Sequence, residues 1–162
     1  MRAEIFKAIR QRLRDKVAYI DLWNDNIANI ESGVHFSMPA VFIEFESIDW
    51  VQGTMGTRRG EVSIILHIID RGIPTDGSRD DLEPLAYLQK IDDINDRLWG
   101  MTGQNFSSLM LKTSTTDHNF SELRHDIERW VCSVVTGKVR DDVQHRLTSA
   151  NVRGEITDDI LK

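Results

Sequence analysis

The sequence predicts an α+β domain. An antiparallel or mixed β-sheet carries two helices packed on one face, in the order α-β-β-β-α-β-β. Three observations lead there. Ile5, Ile9, Leu13 and Val17 recur every four positions, the spacing of one helical stripe. Residues 62–70 are almost continuously apolar and β-branched, which marks a central strand covered on both faces. Leu85, Leu88, Ile91, Ile94 and Leu98 then return to helical spacing between strand-like segments. The elements do not alternate strand and helix strictly, as a doubly wound nucleotide-binding fold would require.

The first helix spans residues 2–17. Its other faces carry Arg2, Lys7, Arg10, Arg12, Arg14 and Lys16 against only Glu4 and Asp15. That is a net charge of +4 in a chain whose total is −6, so the remainder carries −10. Residues 19–23 suit a short strand, and the polar stretch 24–33 reads as a loop. Pro39 opens the strand at 40–46, where Val41, Ile43 and Phe45 alternate with Phe42, Glu44 and Glu46. Residues 49–59, with Gly53 and Gly56, read as an extended hairpin connection into the strand at 62–70.

Residues 71–80 have a loop composition with Gly72, Pro74, Asp76, Gly77 and Ser78. Asp80 or Asp81 can cap the helix 81–99, and Gly100 can end it. Strands follow at 109–116 and 127–136, the latter with room to extend back to 124. Hydrophobicity drops from Gly137 onward. The organisation expected is one α+β domain at 1–136 and a tail at 137–162, partly ordered or ordered by a partner.

Composition narrows the function. The chain has 162 residues and a sequence pI of about 5.3, which argues against a dedicated nucleic-acid binder. Cys132 is the single cysteine, so an intrachain disulfide and a Cys-rich zinc site are excluded. No apolar run is long enough to span a bilayer. The charged start, residues 1–7, lacks the apolar core of a signal peptide, so a reducing cytoplasmic setting is expected.

Sequence motifs of catalysis are absent: there is no GxGxxG, GxxxxGK[ST], HExxH or GxSxG. The glycine-rich, basic phrase 53–60 precedes a strand rather than a helix, so it reads as a hairpin turn and not a phosphate loop. Asp117, His118, Asn119 and His125 would supply metal ligands only if folding gathered them, and no i,i+4 histidine pair fixes such geometry. His67, in an apolar strand, reads as a core or interface histidine. Asp92, Asp93 and Asp96 read as a solvated helix face, and Cys132 as a small packed hydrophobe. The expectation is no catalytic residue, no metal and no cofactor. Trp23, Trp99 and Trp130 are expected in the core, whereas Trp50 divides between core and interface anchor.

The ordered segments also carry a resemblance. It runs through residues 5–9, the Ile20-Asp21-Leu22-Trp23 strand, Pro39-Ala40-Val41-Phe42-Ile43-Glu44-Phe45, the strand at 62–69, the helix at 85–98 and the strand at 127–135. Together, over roughly residues 3–136, these segments resemble the tail-completion, or tail-terminator, proteins of tailed bacteriophages and prophages. The tail at 137–162 does not match that pattern.

The resemblance implies a non-enzymatic virion component, assembled in the host cytoplasm. It implies a ring of identical copies, often a hexamer, that caps the tail tube and presents a surface to head-completion proteins. DNA would pass through the lumen without specific binding, and no membrane is involved. Contacts between copies are expected at Arg10 and Arg14 of the basic helix, at Trp50, Arg58 and Arg59 of the hairpin, and at Arg71 and Asp76 of the following loop. Two other readings stand beside it. One is a head–tail connector or baseplate protein; the other is a small metal- or ligand-binding enzyme built on Asp117, His118 and His125.

Overall fold

The computed structural model of the chain describes residues 1–24, 36–72, 82–119 and 122–137. Helix α1 (Arg2–Leu13) leads into β1 (Tyr19–Leu22), β2 (Ala40–Gln52), a single 3-10 turn (Thr54–Gly56) and β3 (Thr57–Arg71). Helix α2 (Leu82–Leu98), β4 (Met110–Asp117) and β5 (Leu123–Gly137) complete it. The five strands form one sheet in the order β1-β2-β3-β5-β4, with β1 parallel to β2 and every other pairing antiparallel. This is the α+β order expected.

Both helices lie on one face of the sheet. Ile5, Ile9 and Leu13 of α1 and Ile94 and Leu98 of α2 pack in one cluster with Val41, Ile43, Val62, Ile64, Leu66, Ile68, Trp130, Cys132 and Val134. Each fully buried Ile or Leu contributes about 1.5–3 kcal/mol relative to leaving it in water. The strand alternation dictates the membership, because residues two apart share a face. The opposite face carries Phe42, Ile65, His67, Ile69, His125 and Val131, all buried, with Trp23 and Phe36 packed against Phe42. Strand β3 is therefore buried on both sides, as its apolar run predicts.

The two helices are tied where they end. Arg12 Nε donates to the Arg97 carbonyl at 3.0 Å, and Arg97 Nη1 reaches Asp15 Oδ1 at 2.9 Å. Lys16 Nζ pairs with Asp93 Oδ2 at 2.7 Å, so Asp93 is not simply solvated.

Several expectations change in detail. Helix α1 stops at Leu13, four residues early, and Val17 reaches the core from the turn beyond. The hairpin connection expected at 49–59 is mostly strand, because β2 and β3 stay paired out to Gln52 and Arg58. A β-bulge between Phe45 and Ser47 inserts Glu46 and changes which side later residues face. Ile48 joins the helix-side core only because of that bulge.

In α2, Leu85 and Leu88 are exposed and Tyr87 is buried instead. Trp99, expected in the core, is also exposed, while Trp130 is fully buried. Gly137 closes β5 rather than opening a tail, and residues 138–162 lie outside the described residues.

Candidate functional site

Four strands place four polar side chains in a line across the face opposite the helices. Glu44 on β2, His67 on β3, His125 on β5 and Asp117 on β4 meet end to end. Glu44 Oε2 lies 3.0 Å from His67 Nε2. His67 Nδ1 lies 2.9 Å from His125 Nε2, and His125 Nδ1 lies 3.4 Å from Asp117 Oδ2. Trp23, just past β1, stacks flat on the His67 ring with centroids 3.8 Å apart. Only 6% of His67 and 3% of His125 reach solvent.

Counting protons shows what this line can do. A neutral imidazole carries one N–H, and an ionised carboxylate only accepts. Two neutral rings satisfy two of the three contacts, and a third proton shared by the pair completes them. Burial lowers the pKa of His67, against the opposing pull of Glu44 and with a further push from His125. Burial also lowers that of His125, against Asp117. The line therefore takes up its third proton only below the usual histidine range.

The expected grouping of Asp117, His118 and His125 is corrected by this geometry. Asp117 and His125 meet, His118 is exposed outside the line, and His67 takes its place. Among the described residues no group of three or more His, Cys, Asp or Glu side chains is arranged to hold a metal ion. His67 was legible as a buried strand histidine, but its partners depend on the pairing of β3 with β5.

The helix side holds a second polar cluster. Asp126 and Glu128 are buried there beside α2. Tyr87 and Thr116 donate to Asp126, and Ser114 donates to Glu128. Burial, with the neighbouring Glu128 carboxylate, pushes Asp126 up to about 6. Arg124 lies 4.2 Å over the Tyr87 ring. Cys132 packs in the core as expected, and burial pushes its thiol up to about 11.

The ends of β2, β3 and β5 form the third feature. Strand β1 pairs only with residues 40–43 of β2, and β4 pairs only with residues 125–131 of β5. The three middle strands run on as an arm, with Asp49–Gln52 against Arg58–Glu61 and these against Ser133–Thr136, and residues 105–107 flank the outer edge of β5 there through the Phe106–Val134 bridge and the Ser107 N–H to the Ser133 carbonyl. Trp50 is 42% exposed, Val51 70% and Val135 51%. Arg58 and Arg59 are exposed near its tip. The opposite side of the arm has a shallow 430 Å³ groove between Val51 and Val135, edged by Asp49, Arg59 and Glu61.

The expected contact residues fall in three places. Trp50, Arg58 and Arg59 gather on the arm, which decides Trp50 in favour of the surface. Arg10 and Arg14 lie exposed on and just after α1, with Arg14 edging a 740 Å³ cleft that Arg12 and Arg97 also line. Arg71 is exposed at the other end of β3, remote from the arm. Asp76 lies outside the described residues. Sequence reasoning missed Leu85, Leu88 and Trp99 as surface residues, because their spacing fits a buried stripe equally well.

No protein-family model matches the chain, and no curated protein matches it.

Proposed function

We propose that this chain is a structural assembly subunit of the tail-terminator kind. Identical copies close into a ring, a hexamer on this reading, that caps a phage tail tube and receives the head-completion proteins. The observation that carries the reading is the arm: three strands run past the rest of the sheet and hold Trp50, Val51 and Val135 in solvent. Large apolar side chains left in solvent at one end of a sheet mark a contact surface. The division of charge into a +4 first segment and a −10 remainder supports contacts between unlike faces of identical copies, the heterologous kind that closes into rings. A net-acidic ring also repels passing DNA rather than binding it.

Light scattering over a concentration series, alone and with tail-tube protein, tests the proposal. A multi-subunit species that also binds tube protein supports it. A protein that stays monomeric and ignores tube protein refutes it. A connector or baseplate role shares the same contacts and separates from the terminator role by which particle protein the ring binds.

The line from Glu44 to Asp117 favours a second reading, a small ligand-binding or catalytic domain working through His67 and His125. Metal analysis and small-molecule binding, measured on the protein and on His67→Gln and His125→Gln variants, test it. No bound metal or ligand, and no property lost in the variants, rejects it.

A further inference from the structure

The arm has a matching surface on the same chain. Along α2 and the turn just after it, Leu85, Leu88, Asp92, Asp96 and Trp99 follow one another at spacings of three, four, four and three residues. That spacing lays them along one outward stripe of a helix, and Trp99 continues it because its N–H still bonds the Asn95 carbonyl at 2.9 Å. Leu85 and Leu88 are each 53% exposed and Trp99 60%. Asp92 and Asp96 are exposed and lack an ion pair among the described residues, whereas neighbouring Asp93 is neutralised by Lys16. The stripe is thus apolar at both ends and acidic between them.

On the side of the sheet that carries Trp50 the arm presents a cation, because Asp49, Arg59 and Glu61 edge the groove on the other side. Trp50 lies over Gly60, on the side of the sheet that the helices occupy. Arg58 shares that side and has no ion pair among the described residues, whereas Arg59 points to the other side of the sheet with Val51 and Val135. The chain's own helices leave this end of the sheet exposed at Trp50.

We infer that the arm of one copy docks on the α2 stripe of the next copy. Trp50 packs against Leu85, Leu88 or Trp99, while Arg58 faces Asp92 and Asp96. A second copy is the occupant because this chain carries both halves: Trp50 beside the cation Arg58 on the arm, and apolar residues beside the carboxylates Asp92 and Asp96 on the helix, none of the three charges ion-paired among the described residues. Neither half can reach the other within one copy, since each remains exposed in the folded chain. The contact joins two different patches, so it propagates head to tail until it closes on itself, as a reciprocal dimer at the smallest or as a larger ring, and otherwise runs on as a filament. Like charges placed across such a contact disfavour it strongly, which makes charge reversal a sharp probe.

This inference deepens the ring-subunit reading and rests on it, and the experiment separates the two. Molar mass is measured by light scattering for the wild-type chain, for R58E, for D92R/D96R and for the chain carrying all three changes. All three positions are exposed, and circular dichroism checks that each variant is folded. The expected result is a wild-type oligomer, at least about tenfold weaker association in R58E and in D92R/D96R, and recovery in the triple variant. A wild-type oligomer that R58E and D92R/D96R leave intact overturns the docking inference and leaves the ring reading standing. Weakening in R58E and D92R/D96R without recovery in the triple variant also overturns the pairing of these two patches. A wild-type monomer overturns both.

Discussion

Gly60 faces Trp50 directly across the β2–β3 ladder, and the Trp50 ring occupies the space a side chain at Gly60 would need. A Cβ there would stand 2.9 Å from Cε3 of the indole and 3.1 Å from the Ile48 methyl. The glycine thus seats the tryptophan flat on the arm while leaving its outer surface to solvent. Gly60→Ala should push the ring off this seat. Overpacking of this kind costs about 1–3 kcal/mol. The expected signs are a change in Trp fluorescence and weaker self-association, read by light scattering. Unchanged association in a folded Gly60→Ala variant would show that the pose of Trp50 does not matter to the contact.

Asp126 should make the fold more stable in mild acid. Its folded pKa of about 6 stands above the ordinary value of 3.8. A carboxyl raised in this way penalises the folded state once pH exceeds the folded value, and the penalty disappears as pH falls toward the unfolded one. A carboxyl raised from 3.8 to about 6 costs the folded state about 3 kcal/mol at neutral pH. Urea unfolding of wild type and Asp126→Asn at pH 7.5 and pH 4.5 measures it. The wild type should gain on the variant as pH falls, and parallel curves would refute the burial cost.

His67 and His125 should act in the opposite direction. Burial lowers both pKa values, so the stability they confer is complete above the ordinary histidine value near 6.5 and is lost as pH falls below it. A His67→Gln variant should lose part of this pH dependence between pH 7.5 and 5.5. Histidine ring signals in NMR should titrate below 6.5 in the wild type. Titration of both rings at or above that value would contradict the buried, neutral state.

Cys132 should resist alkylation. Its thiol is buried and pushed up to about 11, so little thiolate forms at pH 8. Iodoacetamide should label the unfolded protein far faster than the folded one. Equal rates would place Cys132 at the surface.

The local patterns carried most of the fold. The stripe from Ile5 to Leu13 and the β-branched run around Ile64 named their elements, because helical and strand periodicities differ. The extent of the hairpin was not legible, since Gly53 and Gly56 marked a turn without showing that pairing continues to its edge. The phase of α2 was misread for a related reason. Tyr87 turns inward to donate to Asp126, a partner on β5 that the helix sequence alone does not reveal, and Leu85 and Leu88 then face outward. The Glu44–His67–His125–Asp117 line was hidden because its members come from four strands. Trp50 was legible as a candidate contact, but its side of the sheet follows from the bulge at Glu46.

The molar mass of the wild-type chain in solution tests the central claim most directly. The account predicts a closed species of several 18.6 kDa subunits, six in the hexameric ring, stable across a concentration series. A mass of one subunit at every concentration, with or without tail-tube protein, would contradict it.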